Sequence, residues 1–207
     1  MKLYDFAPTR SRAVRWTLAE LCVPYETVTV NILRGEQRSP FFLAINPAGK
    51  LPVLVDGDMV LTETVAIVLY LAEKYAERGL MPGDRVGRAQ LQRWIMFTAT
   101  ELEQPLWRIR RHTFLLAHEK RLPGEAALAR DDFKAMAAVL ERHMEGRDFV
   151  LGERISAADF ILAYTLEWAE AEGLLEGFSR LKGYVARMYA RPSAPLRIKE
   201  ALASVLP

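Results

Sequence analysis

The residues best suited to binding chemistry in this chain lie between Leu51 and Thr64. Pro52 has no N–H to give to a neighbouring strand, so it suits a strand start or a sheet edge. Leu51 can then offer its own N–H and C=O to an extended molecule that pairs like an added strand. Glu63 and Thr64 open a helix whose free N–H groups attract a carboxylate, and the Glu63 side chain attracts an ammonium group. Neighbouring carboxylate and ammonium sites suit the α-amino-acid end of a small peptide.

Alternating strand and helix patterns surround these residues. Residues 51–55 and 59–61 predict a β-hairpin around an Asp-Gly-Asp turn, and apolar side chains at helical spacing follow Thr64. Upstream, residues 2–6 and 25–30 predict strands, with a helix after Ser11 and one or two helical turns in 39–45. The order βαβαββα indicates a sheet covered by helices.

The second half of the chain has no strand pattern. Gly and Pro residues at 79–86 predict a linker between a first domain, 1–78, and an all-α domain, 87–207. Residues 88–118 predict one long helix with a kink caused by Pro105. Ser156 and Asp159 predict a capping box that starts a buried helix, with a role in folding.

The length, net charge and composition of the chain exclude several classes of function. The chain has 207 residues with a formal net charge of +2, which disfavours nucleic acid as a partner. No apolar run reaches the roughly 20 residues that cross a bilayer, and no secretion signal is visible, so we expect no membrane partner and a cytoplasmic protein. Cys22 is the single cysteine, so neither a disulfide nor a cysteine metal site is expected. Cys22 is expected to be a small buried apolar residue.

The segment NPAGKLPVL, followed by DGDMVLTETVAIVLYLAEKY, resembles the glutathione-binding segment of cytosolic glutathione S-transferases. The resemblance covers nearly the whole chain. It implies an α+β two-domain fold, with an N-terminal thioredoxin-like domain and an all-α helical bundle. It also implies that Leu51, before a cis Pro52, pairs with the cysteinyl part of glutathione, and that Glu63 and Thr64 hold the γ-glutamyl end. The family usually has Ser at the Thr64 position.

The same resemblance implies further glutathione contacts and a group that activates the thiol. Gln37 and Lys50 match positions that contact the glycyl end, although both could equally be exposed loop residues. A thiol with a pKa of about 8.5 needs a hydrogen-bond donor or a helix N-terminus to become a thiolate at neutral pH. Ser11, at the position of Cys in bacterial cysteine-type relatives, is the first candidate, and Thr9 is the second. Ser11 could also be a plain helix cap. A tyrosine mechanism is disfavoured, because Asp5 occupies the tyrosine position.

The activity that the resemblance implies is transfer of glutathione, as co-substrate, to small electrophilic, apolar molecules. Reduction of organic peroxides is a related activity. The second substrate is expected against the long helix, at Trp107, Arg111 and Phe114, and a homodimer is implied. No metal is expected, since His112 has no partner at ligand spacing. The alternative is a non-catalytic relative that retains the fold as a binding module. A thiol–disulfide reductase is less favoured, because no cysteine stands at position 11.

Overall fold

The computed structural model describes residues 1–205 and divides the chain into two compact units. The first contains Met1–Met81 and the residues from Arg191 onward, and the second is Pro82–Ala190. The predicted boundaries, 1–78 and 87–207 with a linker at 79–86, stay a prediction, and residues 206 and 207 lie outside the described part. The predicted fold class is confirmed, because a mixed sheet with helices is followed by a helical unit.

Within residues 1–205, the first unit is built on a four-stranded sheet with the order β2-β1-β3-β4. Its strands are β1 (Lys2–Asp5), β2 (Glu26–Thr29), β3 (Val53–Asp56) and β4 (Met59–Thr62). β1 is parallel to β2 and antiparallel to β3, and β3 forms the predicted hairpin with β4. Tyr4 pairs with Val53, which pairs with Thr62 on its other side. The end of β1, the start of β3 and the end of β4 therefore meet at one edge of the sheet.

The helices of the first unit are α1 (Ser11–Glu20), α2 (Pro40–Ile45), α3 (Thr64–Lys74) and, near the C-terminus, α9 (Ile198–Ala203). Pro40 begins α2 after Ser39, whose hydroxyl accepts a hydrogen bond from the Phe42 N–H at 3.2 Å. Phe42 is then buried against Tyr4, Val30 and Val53. Apolar burial of this kind fixes which face of the short sheet is covered.

The second unit contains α4 (Arg85–Phe97), α5 (Gln104–Arg110), α6 (Pro123–His143), α7 (Ala157–Ala171) and α8 (Ser179–Tyr189). The predicted long helix over 88–118 is helical as far as Leu115, and π-helical segments at Thr98–Glu103 and Arg111–Leu115 replace α-helical turns within it. Pro105 stands in the first turn of α5, directly after the first π-helical segment, and Glu103 and Gln104 before it keep right-handed helical dihedrals. The chain thus accommodates Pro105 within a continuous helix by a wider turn before it.

The predicted capping box at Ser156 and Asp159 is confirmed. The Asp159 carboxylate accepts hydrogen bonds from the Ser156 N–H and the Ser156 hydroxyl, each at 2.8 Å. It also accepts the Val150 N–H and the Tyr184 hydroxyl, both at 2.8 Å. All of these groups are buried, so one carboxylate satisfies four donors at the start of α7. From Ala157 to Ala169 every residue of α7 is buried, which makes it the central helix of its unit.

Cys22 differs from the sequence-based expectation. It is exposed rather than buried. α1 ends at Glu20, and Cys22 adopts a left-handed backbone with a φ of 51°. That turn directs the chain out of the helix, so the thiol does not follow the apolar face of α1.

Candidate functional site

The edge of the sheet where β1 and β4 end and β3 begins brings three predicted site segments together. The loop with Thr9 and Ser11 follows β1, the Leu51–Pro52 pair precedes β3, and Glu63 follows β4. Because Tyr4, Val53 and Thr62 are neighbours in the pairing register, these segments leave the sheet side by side. The first unit alone therefore supplies all of them.

Leu51 presents its main chain at this edge. The Leu51–Pro52 peptide bond is cis, Pro52 is buried, and the half-buried Leu51 side chain packs on the core below. Within residues 1–205, neither the N–H nor the C=O of Leu51 makes a backbone hydrogen bond. Since a buried or half-buried backbone group normally has a partner, these two groups suit an extended ligand.

Asn46 shapes the turn that leads to Leu51, and sequence reasoning missed it as a functional residue. Its side chain is 6% exposed. The Asn46 Nδ2 donates to the Lys50 carbonyl at 2.8 Å, and Oδ1 accepts the Ala48 N–H at 3.1 Å. The Asn-Pro pair that opens the turn was its sequence signal. Asn46 thus fixes residues 46–50 from inside.

Gln37 and Lys50 flank the same turn. Gly49 has a φ of +61°, and a Cβ there would lie 2.9 Å from the Gln37 carbonyl oxygen and 2.8 Å from an Arg38 nitrogen. This close approach explains why glycine stands at position 49. Gln37 is half-buried, and its Oε1 has no hydrogen-bond partner within the described residues. Lys50 is exposed, so it can offer its ammonium group to a carboxylate.

Glu63 and Thr64 stand at the start of α3, as predicted. Thr64 is the first helical residue, and Glu63 before it has an unusual φ of 68° and ψ of 120°. A non-glycine residue with positive φ is uncommon and is often found at binding sites. Glu63 is exposed, and the first-turn amides of the 11-residue α3 lie beside it. A carboxylate that can bind a cation and a partly positive helix end are therefore adjacent.

Thr9 and Ser11 form a hydroxyl pair after β1. Their oxygens are 2.8 Å apart, and the Thr9 hydroxyl also donates to the Phe6 carbonyl at 2.7 Å. The Ser11 N–H donates to Thr9 Oγ1 at 3.3 Å. Ser11 is 0% exposed and Thr9 is half-buried. Ser11 is also the first residue of α1, not its cap, since Arg10 occupies the cap position.

Asp5 is a buried carboxylate directly below this pair. It is 3% exposed, and its Oδ2 accepts a hydrogen bond from Arg15 at 3.2 Å. Burial raises the pKa of Asp5, while the Arg15 charge and the hydrogen bond with Ser11 partly oppose that shift. Its Oδ1 has no partner at ordinary hydrogen-bond distance within residues 1–205.

The residues predicted for a second substrate lie in the second unit. Trp107 is on α5 and is 39% exposed, and Phe114 is 61% exposed with the Arg110 guanidinium 4.2 Å from its ring centre. Arg111 is exposed as well. Trp107 lies in α5, whereas Arg111 and Phe114 lie in the π-helical segment that follows it. Together they offer aromatic surface and positive charge.

A separate cavity of about 350 Å³ lies in the second unit, between α6 and α8. Its arginines are already engaged: Arg180 pairs with Glu141 and Glu145, and Arg187 pairs with Asp148. Glu141 also accepts the first N–H groups of α8. Arg147, which also lines the cavity, donates to the His143 and Glu145 carbonyls, and the cavity contains none of the predicted site residues.

Two further observations bear on the predicted cofactors and partners. Among residues 1–205, no cluster of three or more His, Cys, Asp or Glu side chains could hold a metal ion. In the same part of the chain, no helix combines the length and the apolar character that crossing a bilayer requires.

A thioredoxin-like unit followed by a helical unit is the architecture of the glutathione transferases. The sequence model of the glutathione S-transferase N-terminal domain matches residues 1–73, and that of the C-terminal domain matches residues 106–187. Glutathione S-transferase GST-4.5 of Xanthomonas campestris is 31% identical, over 92% of this chain and 93% of that protein. Glutathione S-transferase F10 of Arabidopsis thaliana is 35% identical, over 77% of each chain.

A solved structure supports the same assignment. A glutathione transferase family member from Pseudomonas fluorescens, with two glutathione bound, superposes with a TM-score of 0.81 at 26% identity and covers 97% of this chain and 91% of its own. The chain belongs to the glutathione S-transferase family. The predicted family and enzyme class are thereby confirmed, while the serine/cysteine-type subclass stays a prediction.

Proposed function

We propose that this protein activates glutathione to its thiolate and transfers it to small electrophilic, apolar molecules. The observation that carries this proposal is the sheet edge at which Leu51, Glu63 and the Thr9–Ser11 pair converge. Holding the thiolate and an electrophile in one place lowers the barrier by proximity, and lowering the thiol pKa supplies the nucleophile.

Three features would hold glutathione. The main chain of Leu51 pairs with the cysteinyl residue, and the buried Pro52 keeps that main chain in place. Glu63 binds the γ-glutamyl ammonium group, while Thr64 and the first turn of α3 bind its carboxylate. Lys50 binds the glycyl carboxylate, and Gln37, whose Oε1 has no partner within the described residues, accepts a donor from the same end.

Thr9 is the better candidate for the group that contacts sulfur, although the sequence favoured Ser11. Ser11 is 0% exposed, whereas Thr9 is half-buried and reaches the surface. A donor must lie within hydrogen-bond reach of the sulfur. We therefore assign the sulfur contact to Thr9 and a supporting role to Ser11.

The electrophile would bind against Trp107, Arg111 and Phe114. Exposed aromatic side chains favour an apolar or aromatic substrate, and the neighbouring arginine stabilises the negative charge that develops on it. Organic hydroperoxides are a second class of substrate for the same thiolate. We also infer a homodimer, as expected for the family, and a cytoplasmic location, consistent with a single, unpaired cysteine.

A second candidate function follows from the Pseudomonas relative, which holds two glutathione molecules. If this chain also binds two, the second substrate could itself carry a glutathionyl group. The bound thiolate would attack the glutathionyl sulfur of a mixed disulfide, forming glutathione disulfide and releasing the other thiolate. No protein cysteine is required for that exchange, because glutathione supplies the attacking sulfur.

The experiment combines glutathione binding by calorimetry with turnover of an aryl halide, an organic hydroperoxide and a glutathionyl mixed disulfide. Thr9→Val removes the hydroxyl at constant shape, and Thr9→Ser restores it. We expect Thr9→Val to bind glutathione but to lose about 10²-fold or more in turnover, with Thr9→Ser close to wild type. If Ser11→Ala loses turnover while Thr9→Val keeps it, Ser11 rather than Thr9 contacts the sulfur. Failure of the wild type to bind millimolar glutathione would favour the non-catalytic binding module.

Size-exclusion chromatography with light scattering tests the homodimer. A dimer has twice the chain mass of 23.5 kDa. A mass that stays at one chain across the micromolar range contradicts the inference. Fractionation of cells that express the tagged protein tests the location, and recovery with the membrane or an exported fraction would contradict it.

A further inference from the structure

Residues 107–122, which we call the basic segment, combine exposed apolar side chains with positive charge. The segment contains five Lys or Arg residues and a single carboxylate, that of Glu119. Three of its large apolar side chains are among the most exposed: Phe114 at 61%, Leu122 at 61% and Leu115 at 49%. Apolar surface beside an excess of one charge suits a molecule that is itself apolar at one end and oppositely charged at the other.

The arginines of the basic segment differ in how their charges are balanced. Arg108 donates to two carboxylates of α6, at 2.5 Å and 2.6 Å. By contrast, within residues 1–205, Arg110, Arg111 and Arg121 form no ion pair with a carboxylate. Cations in one segment without counter-ions repel one another, and an anion that binds among them relieves that repulsion.

Phe114 brings these unpaired arginines together. The Arg110 guanidinium lies 4.2 Å from the centre of the Phe114 ring, and Arg121 Nη2 donates to the Phe114 carbonyl at 2.9 Å. Arg111 belongs to the same π-helical segment as Phe114. An aromatic surface and three positive charges therefore lie side by side.

Hydrogen bonds fix the basic segment in this arrangement. Arg108 ties its first turn to α6, and His112 Nδ1 accepts the Leu122 N–H at 3.1 Å near its end. Arg121 Nε donates to the Leu116 carbonyl at 2.8 Å inside the loop. A surface that is already ordered loses less conformational entropy when it binds a ligand.

We propose that the basic segment selects, as second substrate, an aromatic electrophile that carries a carboxylate or a sulfonate. This proposal rests on the proposed function and narrows its substrate class. The substrate ring packs on the exposed part of Phe114, and its anionic group binds the guanidinium groups of Arg110, Arg111 and Arg121. The anionic group stays intact: the glutathione sulfur bonds to the ring carbon that carries a halogen, and the halide leaves with the electron pair of the broken bond.

A negatively charged lipid surface is the competing occupant of a basic, apolar segment. A helix that lies on a membrane needs an apolar face along its whole length. Here the π-helical segment ends at Leu115, and Leu116 already has an extended backbone with a ψ of 148°. The exposed apolar surface therefore matches one aromatic ring better than a bilayer.

The test compares a chloronitrobenzoate with the corresponding chloronitrobenzamide, which has the same ring and leaving group but no charge. Each kcat/KM is divided by the rate constant of the uncatalysed reaction with glutathione, which corrects for the difference in reactivity. For the wild type at low salt, we expect about a tenfold preference for the carboxylate. The preference should fall to about twofold at about 0.5 M salt, because salt screens the attraction.

Variants locate the charge that carries the preference. Arg111→Gln should reduce the preference about fivefold, whereas Arg111→Lys keeps the charge and should retain most of it. Arg154→Gln is the matched control, because Arg154 is exposed and lies between α6 and α7, outside the basic segment. It should leave the preference as in the wild type. Equal losses in Arg111→Gln and Arg154→Gln would trace the preference to net charge alone and overturn the proposal.

Binding of nitrobenzoate and nitrobenzamide, which have no leaving group, tests the basic segment without the reaction. Calorimetry on the full chain should show tighter binding of nitrobenzoate. Equal binding of the two, or equal corrected turnover of the two substrates, overturns the proposal and leaves the transferase function intact. Absence of glutathione binding and of all turnover overturns the proposed function, and the nitrobenzoate comparison still decides whether the basic segment binds an aromatic anion. Sedimentation with anionic phospholipid vesicles that Arg111→Gln abolishes, without any preference for nitrobenzoate, would assign the basic segment to a lipid surface instead.

Discussion

Replacing Asp159 should cost the second unit a large part of its stability. The carboxylate is 0% exposed and accepts four hydrogen bonds, two from the backbone N–H groups of Val150 and Ser156 and two from the hydroxyls of Ser156 and Tyr184. The hydroxyls can rotate towards other acceptors, but the two amides are fixed by the backbone. Asp159→Ala therefore leaves two buried amides without a partner.

The size of the effect follows from those two amides. A buried donor without an acceptor costs about 1–3 kcal/mol, so Asp159→Ala should destabilise the protein by about 2–6 kcal/mol. Asp159→Asn places an NH₂ group against one of the two amides and should cost about 1–3 kcal/mol. Total stabilities of domains are about 5–15 kcal/mol, so the alanine variant should be visibly less stable.

Denaturant unfolding followed by tryptophan fluorescence, at fixed protein concentration, measures these differences. Asp148→Ala is the matched control, because Asp148 is 69% exposed and lies 3.8 Å from Arg187. An exposed ion pair is worth about 0–1 kcal/mol. The reasoning is refuted if Asp159→Ala is no more destabilising than Asp148→Ala.

Other consequences concern single positions in the first unit. Burial raises the pKa of Glu20, but hydrogen bonds from Arg191 and Ser193 outweigh it and leave that pKa below its ordinary value of 4.5. The stability that Glu20 contributes is thus present above pH 4.5 and is lost as the pH falls through its lower folded pKa. Glu20→Gln should therefore make Tm fall less steeply between pH 4.5 and more acidic pH. A Tm that falls equally steeply in the variant and the wild type would contradict this. Gly49→Ala should destabilise the protein and weaken glutathione binding, because the added Cβ meets neighbouring atoms. At Gly35, φ is +75° but the surrounding space is open, so Gly35→Ala should cost only the left-handed backbone strain of about 1–2 kcal/mol. Equal losses of stability in the two glycine variants would show that crowding at Gly49 has no effect. Because Cys22 is exposed, its reaction rate with a thiol reagent in the native protein should be within about tenfold of the rate in the unfolded chain. A native rate far below that range would show that the thiol is buried.

The elements that sequence reasoning predicted well are those that local chemistry determines. The hairpin at β3 and β4 follows from alternating residues around a glycine turn, and the start of α3 follows from polar residues before an apolar helical pattern. Leu51 and Pro52 lie directly before β3, Glu63 lies between β4 and α3, and Thr64 begins α3. Their local geometry was therefore readable without tertiary contacts.

Other features depend on burial, which the sequence alone does not determine. A hydroxyl at the start of a helix suggested that Ser11 was accessible, but Ser11 is 0% exposed and Thr9 is the half-buried hydroxyl. Asp5 reads as an ordinary polar residue in a strand of four residues, where alternation has too few positions to assign a face. Cys22 was expected to be a small buried residue, yet α1 ends two residues earlier and Cys22 is exposed. The return of the chain to the first unit after Arg191 involves contacts with Glu20 that span 171 residues, beyond any local pattern.

The two units contribute to different parts of the proposed reaction, and measurements of kcat/KM on several substrates can separate their effects. Thr9 belongs to the first unit and, in the proposed function, contacts the glutathione sulfur, which reacts with every electrophile. Changes there should lower kcat/KM by the same factor for all electrophiles. Phe114 belongs to the second unit and is 61% exposed, so Phe114→Ala should lower kcat/KM for aryl substrates by about 10-fold or more while leaving small alkyl substrates within about threefold. Leu128→Ala, which removes a 59% exposed side chain on α6 of the same unit, is the control. A uniform loss in Phe114→Ala would mean that this aromatic surface does not select the substrate.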